Sequence, residues 1–476
     1  MLRVVYAMRS IRHFGYQASV IDVLLRRGAQ VHLMIDDAEE SPERDAFLPA
    51  SEVSPASMRF EPFIRRSDRY RKQIRNLREL HSYVGYLRQP NQSAYYRERW
   101  KQYMAWHWRQ AVRLPLVGKG LASDWVWRRL DHLEARTPSD EAVVTQLKSI
   151  KPDVVVVTPT NARFDEEVEY LKAAQQLRIP TVTPVLTWDN LTTKGVFPIV
   201  PDLTLVWNAQ HFGEAVRVHR IPPQRIATTG APFFDKWLKY RTAPTPRDVF
   251  FKKLGLSPDR PLVTYLGSSS RVAKDETSLV GELFQALQTH GPCHLLVRPH
   301  PANIRYLRGL EIPGVVVWPR EGSLATKRQA IDDFADSLLH SDGCVGLNTS
   351  GMVDAIALDR PCFALLLPQY DRTQTQALHF QYLLNVGAAT VVRDAPSCAQ
   401  ALWTTIRGDD QAQPQRRHLL EEMLWPRGLA LTAGAWAAQA IWMLAAGVPA
   451  TEISGRLDVD SPPTPECSDM DFPSLF

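Results

Sequence analysis

Between Cys344 and Asp354 the chain places Asn348, Thr349, Ser350 and Gly351 where an apolar strand gives way to a helix, and Asp359-Arg360-Pro361 stops that helix before a second apolar strand. Small residues at a strand-to-helix turn leave backbone N–H groups pointing out of the helix start, where free donors and the helix dipole both favour an anion. A phosphate suits such a turn. Asp354, four residues beyond Ser350, falls about one turn along the same face, where it could accept a bond from a ribose or glycerol hydroxyl. Without a ligand, the same residues make an ordinary helix cap, and that reading stays open.

Two further turns have similar chemistry. Gly267 leads into Ser268, Ser269 and Ser270 after a predicted strand from Leu262, and Arg298-Pro299-His300-Pro301 follows a predicted strand from His294. If the anion at these turns is a diphosphate, transfer of the group it carries to a hydroxyl would need a clamp on the departing diphosphate, a base for that hydroxyl and a site that excludes water. Arg298 and His300 are the cations expected to neutralise the developing charge, with the serines and Thr349 to Gly351 as further donors; His300 also fits a purely structural turn. Such donors require no metal, and no Asp-x-Asp pair of the metal-dependent transferase type accompanies these turns. No metal and no cofactor are therefore expected.

For the base there are two candidates, both at ends of predicted strands. His13 lies in the loop after the first strand. Asp189 lies in the polar-aromatic turn from Thr187 to Gly195, where Trp188 would desolvate its carboxylate and raise its pKa. Either also reads structurally, His13 as a surface loop residue and Asp189 as an Asx-turn or helix cap. Asp332, Asp333 and Asp336 read as a solvated helix face, Asp275 and Glu276 as first-turn helix acids, and Gln374, Gln376 and His379 as either acceptor contacts or loop lining.

The elements that must hold these residues alternate. A strand over 2–8, a helix ending near Gly28 and a strand over 30–36 open a βαβ unit, and Asp153 to Thr158 is a β-branched run suited to a strand buried on both faces. A helix over 164–177, strands over 181–187 and 203–207, a helix over 209–219 and a strand over 225–229 continue the pattern. The class is α/β with parallel sheets. Arg241 to Arg247, with two prolines, reads as a linker. Residues 1–240 are expected to form an N-terminal domain and 248–425 a C-terminal one, followed by a helix over 426–450 and a loose tail over 455–476.

From about residue 258 to 400 this series of strands and polar turns resembles the donor-binding domain of GT-B glycosyltransferases, particularly bacterial surface-polysaccharide transferases and CDP-glycerol glycerophosphotransferases. The matching residues are His300-Pro301, Thr349-Ser350-Gly351, Asp354 and Asp359-Arg360-Pro361. The resemblance implies two Rossmann-like domains facing across a cleft, with the nucleotide on the C-terminal one. It also implies that the Gly230 to Asp235 stretch is a cleft lip, with Asp235 a weaker site candidate. The implied function is metal-independent transfer of a sugar from a nucleotide-sugar to a surface-glycan or lipid-linked acceptor. Alternatives are CDP-glycerol-type phosphotransfer, a sugar-nucleotide 2-epimerase and a non-catalytic glycan- or nucleic-acid-binding scaffold. The turn reads Asn-Thr-Ser-Gly where the glycerophosphotransferases carry Asp-Tyr-Ser-Ser, a departure from that branch. The absence of a Glu-x(7)-Glu motif favours inversion.

Composition sets outer bounds. A chain of 476 residues, 45% hydrophobic and with net charge +5, can bury a large core in two or three domains. Between Arg65 and Arg129 there are 16 Lys or Arg against four acids. That stretch lies in a helical insertion expected over 60–140, which also carries many Trp and Tyr residues. Interleaved basic and aromatic side chains suit an anionic membrane surface, a nucleic-acid groove or a helical hairpin that simply buries its rings, with nucleic acid the less favoured partner. Five scattered cysteines and an opening strand without a signal-type leader fit a reducing cytoplasm, with peripheral attachment to the inner membrane face as an option. Gly428 to Thr451 is uncharged, but its Ala and Gly content points to a packed helix rather than a membrane span.

Overall fold

A computed structural model describes residues 1–36, 57–89, 93–158, 166–240, 242–301, 303–321 and 328–459. The chain divides into two compact units, one of Met1–Asp235 with Glu422–Phe476, the other of Lys236–Glu421.

The first unit is built on β1 (Arg3–Arg9), β2 (Gln30–Ile35), β3 (Met58–Pro62), β4 (Val154–Val157), β5 (Thr181–Pro184), β6 (Leu203–Val206) and β7 (Ile226–Thr228). They form one parallel sheet in the order β3-β2-β1-β4-β5-β6-β7. Successive side chains alternate between two cores. Val4, Tyr6 and Val154 pack with the helices Ala18–Arg26 and Ala433–Ala445, whereas Val5, Ala7 and Val155 pack with Glu141–Ile150 and Val168–Gln176. A strand covered on both faces must be apolar throughout, which is why residues 154–157 are four consecutive valines.

Among the described residues between β3 and the helix that precedes β4 run five helices, from Arg71–Arg88 to Asp124–Arg136. Part of this segment's positive charge is turned inward. Arg78 bonds Glu134 at 2.7 Å and Glu169 at 2.8 Å, Arg66 bonds Glu169 at 2.9 Å, and Lys172 reaches Glu134 at 3.0 Å. These buried pairs pin the helices Arg71–Arg88 and Asp124–Arg136 to Val168–Gln176. The aromatics divide likewise: Tyr83, Tyr86, Tyr96, Trp100 and Trp127 are buried, while Trp106 and Trp125 are exposed.

The uncharged C-terminal segment forms the helix Ala433–Ala445, packed on Ala18–Arg26. No helix among the described residues is long and apolar enough to cross a membrane. Asp235 is structural rather than a lip residue. It is buried, accepting from Ala433 N at 3.1 Å, Gly434 N at 2.7 Å, Trp425 Nε1 at 3.0 Å and Ser19 Oγ at 2.8 Å. Residues 455–459 belong to a last helix, Ala450–Val459, and the rest of the expected tail lies outside the described residues.

The second unit contains β8 (Leu262–Leu266), β9 (His294–Arg298), β10 (Val315–Val317), β11 (Gly343–Gly346), β12 (Cys362–Leu365) and β13 (Thr390–Val392), parallel and ordered β10-β9-β8-β11-β12-β13. Val263, Tyr265, Leu295 and Val297 face one core, Leu262 and Leu296 the other. Cys293, Cys344, Cys362 and Cys398 are free and buried, packed as small hydrophobes. The acids expected on a solvated face are instead tied down. Asp333 takes bonds from Arg298, Lys253 and Trp318 Nε1, Asp336 accepts from Thr245 N, and Asp332 accepts from Tyr240.

Candidate functional site

Both sheets reverse direction once, and ligands of open α/β sheets bind outside the carboxyl ends of the strands at that reversal. In the second unit it lies between β8 and β11. The loops at 267–270, 299–301 and 347–351 leave the carboxyl ends of β8, β9 and β11, three adjacent strands spaced about 4.8 Å apart. All three turns picked out by their residue types therefore meet at one crevice.

Within it the residues separate into a frame and an accessible rim. Gly267 is part of the frame: its N–H donates to Arg298 O at 2.9 Å, and a Cβ there would stand 3.0 Å from both Arg298 O and His300 N. A side chain there would force the neighbouring backbone to give by a few tenths of an ångström, so glycine suits this close approach of the two loops. Ser268 is fully buried, and its backbone N–H bonds both oxygens of Glu276 at 3.1 Å. Asn348 is buried and gives its amide to Thr373 O. Asp354 is buried and accepts from Trp237 Nε1 at 2.8 Å. Its burial pushes its pKa up, opposed by the Lys236 ammonium.

Arg298, expected as a phosphate cation, is also frame. It is buried against Asp333 at 2.6 Å, with a second bond to Ser337 Oγ at 3.1 Å. Asp359 pairs with Arg416 at 3.0 Å. The rim consists of Ser269, Ser270, His300, Thr349, Ser350 and Gly351, of which Ser350 is the most exposed. Burial lowers the His300 pKa, so the ring sits in the crevice as a neutral donor rather than a cation. The exposed cations of these loops are Arg271 and Lys274, which motif reasoning passed over.

Glu276, expected as a first-turn helix acid, stands at the helix start and is fully buried. Besides Ser268 N it accepts from Tyr265 Oη at 2.9 Å and Asn303 Nδ2 at 3.3 Å, and Asn303 N in turn bonds His300 O at 2.8 Å. One carboxyl group thus joins the loop after β8 to the loop after β9. Only the dipeptide Asp275-Glu276 ahead of an apolar helix could have signalled it, and that pattern is shared by many solvated helix starts.

Burial raises the Glu276 pKa from 4.5 to about 7. Between these values the folded protein holds a proton that the unfolded chain releases, so the contribution is complete below pH 4.5 and is lost as pH rises through about 7. Glu276→Gln is expected to remove this fall from the second unit's unfolding free energy, measured in urea from pH 4.5 to 7.5. A slope unchanged by the substitution would refute the assignment.

In the first unit the reversal lies between β1 and β4. His13 stands there, in the turn Ile11–Tyr16, with Nδ1 3.1 Å from Met8 O. A carbonyl can only accept, so Nδ1 carries the proton of the neutral ring and Nε2 is the basic nitrogen. Asp189 follows β5, two strands from β1, which is about 10 Å by strand spacing. Its carboxylate is occupied by Lys194 Nζ at 2.9 Å, Thr187 Oγ1 at 2.8 Å and Thr193 Oγ1 at 2.9 Å.

A cavity of about 590 Å³ in this unit is lined by Trp127, Asp131, Lys172 and Gln176 among others, but by neither His13 nor Asp189. In the second unit, Gln374 is wholly buried and bonds Leu347 O at 3.0 Å, Leu365 O at 2.7 Å and Leu367 N at 3.0 Å, bracing the loops after β11 and β12 rather than meeting an acceptor. Among the described residues no group of three or more His, Cys, Asp or Glu could hold a metal ion.

No protein-family model matches the chain, and no curated protein matches it. Solved structures do. The chain is similar to a Listeria monocytogenes protein assigned as a UDP-N-acetylglucosamine 2-epimerase, with a TM-score of 0.54 and 10% identity over 93% of this chain and 96% of the other. It is equally similar to S. aureus MnaA solved with UDP, at 0.54 and 10% over 94% and 98%. A glycosyltransferase from Rickettsia africae gives 0.52 and 10% over 94% and 99%. At this identity the likeness is one of fold: two Rossmann-like units, as in GT-B enzymes.

Proposed function

We propose that this chain is a sugar-nucleotide enzyme that moves a glycosyl group from a nucleotide-sugar, a UDP-sugar first among them, to a hydroxyl on a glycan or lipid-linked acceptor, without a metal. The observation that carries the reading is the meeting of the loops after β8, β9 and β11 at the second unit's strand reversal, with His300, Thr349 and Ser350 on its rim. The anomeric carbon–oxygen bond to the diphosphate breaks and the acceptor oxygen bonds that carbon. Charge develops on the departing phosphate, where neutral His300, the Ser350 hydroxyl and the N–H groups at the helix start donate, and Arg271 and Lys274 supply positive potential. The base proposed for the acceptor proton is His13, at the first unit's strand reversal with Nδ1 3.1 Å from Met8 O.

A second reading, epimerisation at C2 of the sugar while it is bound to its nucleotide, is suggested by the shared fold with the Listeria protein assigned as a UDP-N-acetylglucosamine 2-epimerase. Incubation with UDP-, GDP- and dTDP-sugars and CDP-glycerol, with and without hydroxyl acceptors, separates the two. The expected result is acceptor-dependent release of one nucleoside diphosphate, reduced roughly 10²- to 10⁴-fold in His13→Ala. A 2-epimer formed with no nucleotide released would replace transfer by epimerisation, CMP released from CDP-glycerol would point to glycerol phosphate transfer, and no reaction of any donor would overturn the enzymatic reading.

A further inference from the structure

The described chain exposes eight large hydrophobic residues, and four of them, Trp106, Leu114, Trp125 and Leu133, fall between residues 106 and 133. Trp106 is 69% and Trp125 72% exposed. This segment does not lack a core to fold on, because Tyr96, Trp100, Val112, Leu121, Trp127 and Leu130 are buried. The outward tryptophans are therefore surplus to the packing of the unit. Large apolar side chains left exposed at this density along one segment of a folded chain suit a contact surface.

Charge identifies the partner. From Ser93 to Arg136 the chain has nine Lys or Arg and four acids. Of the acids, Glu134 is buried between Arg78 and Lys172, while at the surface Asp124 pairs with Arg88 and Arg220, Glu98 with Lys101, and Asp131 lies 3.5 Å from His81 Nε2. Arg97, Arg109, Arg113, Arg128 and Arg129 are exposed. Arginines flanking isolated tryptophans match an interface with phosphate headgroups outside and acyl chains beneath, where indole rings settle at headgroup depth.

We propose that the helices Ala94–Lys101, Trp106–Ala111, Pro115–Leu121 and Asp124–Arg136 dock the protein on an anionic lipid bilayer, with Trp106 and Trp125 entering the interface and the exposed arginines pairing with lipid phosphates. The contact is peripheral. It does not depend on the reaction proposed above, and it places the chain where a lipid-linked acceptor would be found.

The test is co-sedimentation of the full chain with phosphatidylglycerol–phosphatidylcholine vesicles, compared with pure phosphatidylcholine, at low and high salt. Binding is expected to require the anionic lipid and to weaken with salt. Arg109→Glu with Arg129→Glu should lower the bound fraction roughly tenfold or more, since each interfacial charge is worth about one kcal/mol. Trp106→Ala with Trp125→Ala should weaken binding and make the remainder more salt-sensitive. All four residues are exposed, so both double variants should unfold at the wild-type temperature, which separates lost docking from lost folding. Failure to bind phosphatidylglycerol vesicles, or equal binding by wild type and both variants, would overturn the proposal. So would a protein that ignores vesicles but binds single-stranded RNA with a steep salt dependence lost in the arginine variant, which would identify a nucleic-acid surface.

Discussion

Asp235→Ala is expected to destabilise the first unit by about 3–5 kcal/mol, because it strips the acceptor from four buried or half-buried donors at once. The first N–H groups of the helix Ala433–Ala445 have no carbonyl four residues earlier within the helix to bond. Thr432 Oγ1 takes Ala435 N at 3.1 Å, and Asp235 takes those of Ala433 and Gly434. The carboxylate also holds Trp425 Nε1 and Ser19 Oγ, so it fastens the returning C-terminal segment to the helix Ala18–Arg26. Packing at that contact leaves no slack: a Cβ on Gly434 would lie 2.4 Å from Ser19 Oγ and 2.7 Å from Ser19 Cβ.

Asp235→Asn keeps a carbonyl acceptor and should fall between wild type and Asp235→Ala. Urea unfolding followed by tryptophan fluorescence, with limited proteolysis of the C-terminal helix, checks both variants. An Asp235→Ala protein as stable as wild type would show that the helix is held by its apolar face alone.

Gly267→Val should leave both sheets formed and weaken donor binding. The new side chain would begin 3.0 Å from Arg298 O and His300 N, and backbone cannot yield as the end of a flexible side chain can. The loop after β9 must shift, taking His300 with it. A displacement of about 1 Å at a positioning loop costs on the order of 10²-fold in rate, and the smaller shift forced here should lower kcat/KM by roughly 10-fold or more at unchanged far-ultraviolet circular dichroism. Activity within a few-fold of wild type would mean that the contact between the two loops does not position the donor.

The parts of the fold that residue types disclosed share one physical property. β1, β4, β5, β6, β8, β9, β11 and β12 are covered on both faces or nearly so, and their apolar runs stand out. β3, β10 and β13 were not anticipated. They are edge strands of three to five residues, and β3 reads Met-Arg-Phe-Glu-Pro with no buried residue. The turns at 267–270, 299–301 and 347–351 were legible because small and polar residues follow directly on apolar strands.

The division of labour inside those turns was not legible. Whether Arg298 meets a phosphate or Asp333 is decided by a helix 35 residues away, and no local spacing encodes that choice. The same holds for Glu276, whose partners Tyr265, Ser268 and Asn303 come from three different elements, and for Asp235, whose partners are up to 199 residues distant.

The most direct measurement is calorimetric titration of the full chain with UDP, GDP, CDP, dTDP and CMP, repeated on His300→Ala, Ser350→Ala and Gly267→Val. One nucleotide should bind the wild-type protein, and more weakly each of the three variants. A folded wild-type protein that binds none of the five, or a nucleotide held equally by all four proteins, would contradict a donor site at the reversal between β8 and β11.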